Sequence, residues 1–309
     1  MKKLFKEMNK HKKYQNFIID LITGGIAAGV SKTLVSPIET IKLRLQSMDE
    51  MVKQKIITAP YTGIINCFSR IIKEEGLLTL WKGNFTNILF YFPTQSLNFA
   101  FKSYYKQLFP PSTKTNLLFY NIICGSAAGI TSMLVFHPFD FAKTRLTNDA
   151  KNILRNKPRQ YKNFLDVYRK TYNQSGILGM YRGLIASCSC MCVYRGLYFG
   201  LYDTVNKKVK NIIFKFFLGW GVTILSGAVA YPFDTVRRRM MMTSGVKNSY
   251  SNSINCMKTI IQKEGMKSLY KGHGANILRS LAGAGVLVLY DKMKQIIVKY
   301  NQRSRQKHN

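Results

Sequence analysis

Three segments of the chain each place an acidic and a basic side chain three positions apart, shortly after a proline. They read PIETIK from Pro37, PFDFAK from Pro138 and PFDTVR from Pro232. The copies start 101 and 94 residues apart, a regularity that chance does not readily produce. A proline inside a helix removes a backbone hydrogen bond and kinks the helix. The pattern therefore predicts three kinked helices that carry opposite charges at one level.

The charged residues of these segments can pair between neighbouring helices. The expected ion pairs are Glu39 with Lys143, Asp140 with Arg237, and Asp234 with Lys42. Gln46 lies about one helical turn after Lys42 and can add a hydrogen bond to a pair. A ring of three pairs would close one end of a central cavity and could open again. The simpler alternative is that the pairs only hold helices together.

A second motif follows each proline segment at a similar distance. It consists of EG or SG at 75–76, 175–176 and 264–265, and then WKG at 81–83, YRG at 181–183 and YKG at 270–272. Repetition at a fixed period is typical of a protein built from similar units. We therefore predict three repeats of helix, loop, short helix and helix. The predicted boundaries are 17–110, 111–208 and 209–299, flanked by basic tails at 1–16 and 300–309.

Long apolar stretches predict where the chain crosses a membrane. Residues 83–101, 115–139 and 216–233 contain no Asp, Glu, Lys or Arg, and each run is about long enough to span a bilayer. Three similar stretches carry Lys32, Arg195 or Arg279 inside. The predicted fold is an all-α membrane protein with six transmembrane helices around a central cavity, at 17–46, 84–107, 116–147, 185–206, 212–242 and 275–298. Apolar residues at helical spacing predict three short surface helices at 64–73, 164–173 and 254–263.

Composition limits the classes of function. The 309 residues include 47 Lys and Arg against 14 Asp and Glu, and 46% are hydrophobic, which excludes disorder as the main state. The net charge of +33 favours an anionic partner. A basic nucleic-acid-binding protein is the alternative from another class, but the cations lie in loops and at helix ends. An enzyme is disfavoured because the four histidines are scattered and no nucleotide-binding P-loop occurs.

The tripartite repeat resembles the mitochondrial carrier family over nearly the whole chain. Within that family, the RRRMMM run at 237–242 and the segments at 91–102 and 286–291 are similar to ADP/ATP carriers. The resemblance implies exchange of ADP for ATP by alternating access, in the inner membrane of a mitochondrion or a related organelle. It implies a monomer without cofactor or metal, and cardiolipin or another anionic lipid at the second motifs. The residues implied for lipid binding are Trp81, Gly83, Tyr181, Gly183, Tyr270 and Gly272.

The resemblance also implies a substrate site. Lys32 and Arg279 match the family's phosphate-binding cations, and Tyr194 is expected nearest the base, with Arg195 beside it. Arg237 is expected to pair in the gate, whereas Arg238 and Arg239 would attract phosphate. Four positions depart from the family: Phe90 replaces an expected Arg, Cys190 and Met191 replace a Gly and an aliphatic residue, and Ala230 replaces a Ser. A carrier of another nucleotide or phosphorylated anion is therefore the close alternative.

A second gate is expected at the other end of the cavity. The family places an acid and a base three residues apart near the end of each even-numbered span. The corresponding residues here are Ser103 and Lys106, Asp203 and Asn206, and Asp291 and Lys294. Only Lys106 and Asp203 can form a full ion pair, so we expect the resting protein to be closed at the proline-motif end. The basic loops on that side of the membrane place both termini on the other, intermembrane side.

Overall fold

The structure is a computed structural model, and it describes residues 29–110, 117–150, 159–206, 212–246 and 250–282. By contacts the chain divides into two units, one of residues 36–280 and one of residues 1–35 with 281–309. In the smaller unit, residues 29–35 and 281–282 are described and are helical. Every site below that involves several residues lies within the larger unit.

The described helices follow the predicted order. The long helices are α1 (29–53), α3 (Asn84–Leu108), α4 (Leu117–Thr147), α6 (Leu184–Asn206), α7 (Ile212–Met242) and α9 (273–282), and the short ones are α2 (Ile64–Glu75), α5 (Phe164–Ser175) and α8 (Ser253–Glu264). The bounds given for α1 and α9 are those of their described parts. Helix α1 runs seven residues beyond the predicted end at 46, because its last turns are buried against neighbouring residues. Most of the other bounds agree with the prediction to within two residues.

A single-turn 3₁₀ helix links each short helix to the next long helix. These turns are Leu77–Trp81, Ile177–Tyr181 and Met266–Tyr270, and the sequence did not predict them. Each begins after a glycine with positive φ, at Gly76, Gly176 and Gly265. Glycine adopts this backbone conformation without steric cost, so it ends the short helix and redirects the chain.

The buried apolar residues form three clusters, one around each short helix. The largest contains Cys67 and Ile71 of α2 with Leu80, and the third contains Cys256 and Ile260 of α8 with Leu269. The second joins Val167 of α5 to α4. All six cysteines are free, and burial raises the pKa of both Cys67 and Cys256 to about 12. The short helices are therefore packed parts of the fold.

Two helical stretches in the described residues are long and apolar enough to cross a membrane by themselves, Phe119–Thr147 and Ile177–Leu201. The remaining predicted spans carry more polar residues. Helix α3 contains Gln95, Asn98 and Lys102, and α7 carries three arginines just before its last three residues. Polar side chains are tolerated in a membrane helix when they face a partner or a water-filled cavity. Hydropathy alone therefore understates the number of spans.

Candidate functional site

The three predicted ion pairs are all present in the structure. Lys143 Nζ lies 2.7 Å from Glu39 Oε1, Arg237 Nη2 lies 2.8 Å from Asp140 Oδ2, and Lys42 Nζ lies 2.8 Å from Asp234 Oδ2. They join α1 to α4, α4 to α7, and α7 to α1. Gln46 Nε2 donates to Asp234 Oδ2 at 3.1 Å, as predicted. The ring is therefore complete in this conformation, and its action as a gate remains a prediction.

Arg238 belongs to the same ring. Its Nη1 donates to Asp140 Oδ1 at 2.9 Å, and its Nε lies 3.7 Å from Asp234 Oδ1. Asp140 is thus shared by two arginines, and only Arg238 makes a directed hydrogen bond to it. From the sequence, Arg238 is expected to attract phosphate. If it does, the same guanidinium group both pairs with Asp140 and attracts phosphate.

The expectation for Arg239 is wrong. Its side chain is fully buried on the far side of α7 and contacts Asp49, Glu264 and Ser268. Burial by itself raises the pKa of Glu264, but Arg239 and hydrogen bonds from Lys53 and Ser268 outweigh it and lower that pKa to about 2. Arg239 therefore joins α7 to α1 and α8 and does not line the cavity described below.

A buried arginine follows the basic residue of each proline motif by two positions. These second-layer arginines are Arg44, Arg145 and Arg239. Arg44 pairs with Glu75 of the EG motif at 2.8 Å, and Arg239 pairs in the same way with Glu264. In the second repeat the corresponding position is Ser175, and Arg145 donates to the main-chain carbonyls of Met242 and Ser244. The sequence contained a signal for this layer that was not used in the predictions above. Each repeat has a second basic residue two positions after the first, and two of the repeats have a glutamate in the later EG motif.

The glycines of the second motif lie against the basic residues of the first. A Cβ atom on Gly183 would lie 3.0 Å from the carbonyl oxygen of Arg237, and one on Gly272 would lie 3.1 Å from that of Lys42. Gly83 approaches Lys143 in the same way. All three have positive φ, at 83°, 87° and 84°. Each glycine therefore lets one repeat pack closely on the proline-containing helix of the next.

The aromatic residues of the second motif also pack next to the prolines. The Tyr181 ring stacks on His137, with centroids 6.0 Å apart, and the Tyr270 ring stacks on Tyr231 at 6.2 Å. His137 and Tyr231 immediately precede Pro138 and Pro232. In the first repeat, Trp81 packs against the largest apolar cluster, and Ser36 donates to the carbonyl of Leu80. These packing contacts account for the aromatic positions, and the predicted lipid contacts stay a prediction.

A cavity of about 420 Å³ borders the ring of ion pairs, and we call it the cation-lined cavity. Its wall includes five cationic side chains, and Glu39 and Asp234 supply the opposing carboxylates. The cations, apart from Arg195, are Lys42, Arg237, Arg238 and Arg279. The predicted residues Tyr194, Cys190 and Met191 also line it. The structure thus brings most of the predicted substrate residues to one cavity whose cations suit an anionic ligand.

Arg195 lies on the wall between this cavity and a second one. Its guanidinium donates to the carbonyl of Gly125 and, at 3.3 Å, to Asn98 Oδ1. Met191 lies beside it, and its sulfur occupies the space that a Cβ on Gly129 would need. Arg195 is therefore tied to α3 and α4, although it lies next to Tyr194 in the sequence.

Several predicted residues are not tested by these contacts. Lys32 is helical and half-buried in the smaller unit. Of the second gate, Lys106 is exposed near the end of α3, whereas the side chain of Asp203 and residues 291 and 294 lie outside the described residues. Within the described ranges, no group of three or more His, Cys, Asp or Glu could hold a metal ion.

Comparison with known proteins accounts for the threefold pattern. The chain matches the mitochondrial carrier protein family in three successive segments, 13–113, 114–213 and 208–301. The chain belongs to the mitochondrial carrier family. It is thus a six-helix, multi-pass transporter of the mitochondrial inner membrane and not an enzyme. The three predicted repeats are confirmed, and their exact boundaries stay a prediction.

Curated relatives of this carrier are similar to it over almost the whole chain. It is 48% identical over 297 residues to an ADP,ATP carrier protein of Chlamydomonas reinhardtii, covering 93% of this chain and 96% of the relative. It is 47% identical to an ADP,ATP carrier protein of Arabidopsis thaliana, covering 95% of this chain and 79% of the relative. An ADP,ATP carrier protein of Schizosaccharomyces pombe is 46% identical, with 92% of each chain covered.

Proposed function

We propose that this carrier exchanges ADP for ATP across the mitochondrial inner membrane. The observation that supports the proposal most directly is the cation-lined cavity, where Arg279 lies with Lys42, Arg237 and Arg238 of the closed ring of ion pairs. Clustered guanidinium and ammonium groups are what a polyphosphate needs. Relatives named ADP,ATP carriers share nearly half of the residues.

In this proposal the ring of ion pairs is the gate at the proline-motif end. The pairs hold the gate closed, and a bound nucleotide competes for their cations. The same cations, Lys42, Arg237 and Arg238, line the cavity and form the pairs. A substrate that contacts them changes the free energy of closure, which is what alternating access requires. The second gate, built around Lys106, Asp203, Asp291 and Lys294, would alternate with it.

The substrate contacts are assigned as follows. Arg279 binds phosphate, Arg238 adds positive charge, and Tyr194 and Arg195 line the cavity. The phosphate-binding role of Lys32, which belongs to the smaller unit, stays a prediction from the sequence. Cys190 and Met191 line the cavity from α6. Together with Phe90, they are the residues expected to change selectivity. Both termini lie on the intermembrane side, and the protein acts as a monomer.

We further propose that an anionic lipid such as cardiolipin binds at the second motifs. No side chain caps α3 at Gly83, so the first backbone N–H groups of that helix can meet a lipid phosphate. Because the repeats are equivalent, we propose the same contact at Gly183 and Gly272. Trp81, Tyr181 and Tyr270 flank these helix ends.

Transport measurements test the proposal. Purified carrier in cardiolipin-containing liposomes loaded with ADP, ATP, GTP or phosphate is assayed for uptake of labelled ADP. We expect uptake only against internal ADP or ATP, and its loss in Arg279→Ala with the variant still folded in detergent. If labelled ADP is taken up only into liposomes loaded with GTP or phosphate, the protein is better described as a carrier of another phosphorylated anion. Normal ADP uptake by Arg279→Ala would contradict the assigned phosphate contact.

A further inference from the structure

The boundary between the second and third repeats differs from the other two boundaries in its charges. Lys82 pairs with Asp149 at 3.0 Å across the boundary of the first and second repeats, and Lys271 pairs with Asp49 at 2.7 Å across that of the third and first. Arg182 occupies the same motif position in the second repeat, but it donates to a main-chain carbonyl of the third repeat. This motif cation therefore meets a carbonyl where the other two meet a carboxylate.

The second-layer arginine at this boundary is in the same situation. Arg145 is 6% exposed, and its two terminal nitrogens donate to the main-chain carbonyls of Met242 and Ser244. Its Nε is buried and has no hydrogen-bond partner among the described residues. The equivalent Arg44 and Arg239 each pair with a glutamate. The boundary thus contains two guanidinium groups that, in the part of the chain that the structure describes, have no acidic partner.

A hydroxyl group lies at the position of the missing glutamate. Ser175 is the last residue of α5, just as Glu75 and Glu264 are the last residues of α2 and α8. A Cβ on Gly245 would lie 3.2 Å from Ser175 Oγ, and the carbonyl of the residue before Gly245 accepts from Arg145. The hydroxyl and the arginine therefore approach the same short segment of the third repeat.

The surroundings of Ser175 leave its hydroxyl within reach of another protein. Ser175 is half-buried, and Asn173 and Gln174 before it are exposed. On its other side, a Cβ on Gly176 would meet nothing within 4 Å. Ser175 lies two residues before the apolar stretch that begins at Ile177, which places it at the edge of the membrane. A water-soluble enzyme can therefore approach this end of α5.

We propose that Ser175 is a phosphorylation site, and that its phosphate supplies the counter-charge that Arg145 lacks. A protein serine kinase provides the phosphoryl group from ATP. The Ser175 oxygen bonds to the γ-phosphorus, the bond from that phosphorus to the β,γ-bridging oxygen breaks, ADP leaves, and the hydroxyl proton passes through the kinase to water.

The physical effect of the phosphate follows from its charge and its position. A phosphoserine carries about −1.5 to −2 charges near neutral pH and accepts charge-assisted hydrogen bonds from arginine. The end of a helix disfavours an anion, so the phosphate stabilises the carrier only because Arg145 lies beside it. Glu75 occupies the same position on α2 and pairs with Arg44. Phosphorylation therefore gives the second repeat, reversibly, an ion pair that the first repeat has permanently.

Mass spectrometry of the carrier isolated from its own mitochondria tests the modification. Trypsin releases residues 171–182 as one peptide, because a lysine precedes it and an arginine ends it. Its hydroxyl-bearing residues are Thr171, Tyr172, Ser175 and Tyr181. We expect fragment ions to place a phosphate on Ser175 in part of the carrier. A peptide found only unmodified, in both growing and starved cells, or phosphorylated only at another hydroxyl, would overturn the assignment.

Carrier with phosphoserine incorporated at position 175 during synthesis tests the counter-charge. Its thermal unfolding midpoint in detergent should lie about 3 °C or more above that of the unmodified carrier, and phosphatase should remove the increase. In an Arg145→Gln background, the same phosphoserine should give no increase. The matched control is Asn173→phosphoserine, which adds the same charge at an exposed position of the same helix.

The stability measurements decide whether the phosphate acts through Arg145. An equal increase with phosphoserine at 173 and at 175, or an increase at 175 that persists in Arg145→Gln, would show that it does not. An unchanged or lower midpoint at 175 would show that the helix end repels the phosphate more than Arg145 attracts it. If Arg145→Gln does not fold, the comparison of positions 173 and 175 decides alone. None of these measurements requires transport, so the inference and the proposed function can fail separately.

Discussion

Arg44 and Glu75 form an ion pair that is almost completely withdrawn from water. Two hydrogen bonds join them, from Nη1 to Oε1 at 2.8 Å and from Nη2 to Oε2 at 3.1 Å, and their side chains are 0% and 2% exposed. Arg44 Nε also donates to the carbonyl of Thr147 in the next repeat. One buried guanidinium thus links the proline-motif helix of the first repeat to its own short helix and to the following repeat.

The second repeat lacks this carboxylate. Ser175 stands where Glu75 and Glu264 stand in the other repeats, and Arg145 bonds to two carbonyls of the third repeat. Within the described ranges, no acidic side chain is in ion-pair contact with Arg145. The three repeats therefore differ in how strongly their buried arginines are held, and this difference can be tested.

Glu75→Gln should destabilise the carrier strongly. It leaves the Arg44 charge buried without its counter-charge, which typically costs about 3 kcal/mol or more. The measurement is the thermal unfolding midpoint in detergent. Glu74→Gln is the control, because Glu74 is 41% exposed and its pair with Arg70 contributes at most about 1 kcal/mol. Equal effects of the two substitutions would contradict the interpretation.

Ser175→Glu should stabilise the carrier relative to Ser175→Gln. Both side chains have the same size, and only Glu supplies a counter-charge for Arg145. A hydrogen bond to a charged group contributes about 1.5–3 kcal/mol, so the difference should appear as a higher unfolding midpoint for the Glu variant. If the Gln variant is as stable as the Glu variant, the two carbonyls already satisfy Arg145.

Charge reversal at Asp140 should open the gate at the proline-motif end. Asp140→Lys places a cation beside Arg237 and Arg238, both of which contact Asp140. Cysteines introduced along the cavity should then react from the proline-motif side, whereas the unmodified carrier should react mainly from the opposite side. If two extra pairs at this end contribute about 0.5 kcal/mol each, the bias is about five-fold.

The compensating substitution provides the control for that experiment. Asp140→Lys combined with Arg237→Asp should recover only part of the bias, since Arg238 remains next to the introduced cation. Asp166→Lys, in an exposed pair on α5, should leave the labelling pattern unchanged. Equal labelling from both sides in the unmodified carrier would show that the ring does not set the resting state.

Stability should fall in acid partly through Glu264. Its pKa is lowered to about 2, because Arg239, Lys53 and Ser268 outweigh the effect of burial, and its usual value is 4.5. A carboxyl whose pKa is lower in the folded state contributes stability above its unfolded pKa and loses it as the pH falls towards the folded pKa. The unfolding midpoint of the carrier should therefore drop between pH 4.5 and 2.

Glu264→Gln should make the unfolding midpoint less dependent on pH in this range, and should lower it at neutral pH. The matched control is again Glu74→Gln, which should keep the acid dependence of the unmodified carrier. An unchanged acid profile in Glu264→Gln would show that other carboxyl groups dominate the loss of stability.

Much of this fold follows from the sequence because its signals are local or repeated. Uncharged runs and helical periodicity predicted most of the long helices to within two residues. The three ion pairs of the ring could be assigned because the repeats are equivalent, so an acid of one copy must meet the base of the next. The pairing partners of Glu39, Asp140 and Asp234 could thus be assigned from the repeat alone.

Tertiary structure decided how the consecutive arginines 237, 238 and 239 are used. Successive residues on a helix point about 100° apart, so three neighbouring arginines face three directions. The packing of α7 turns Arg237 and Arg238 towards the ring and the cavity, and Arg239 towards Asp49 and Glu264. Similarly, Phe90 reads as a missing cation in the sequence, whereas its neighbours Phe136 and Phe139 make it part of an aromatic wall. Side-chain direction depends on which helix faces meet, and that depends on contacts between residues far apart in the chain.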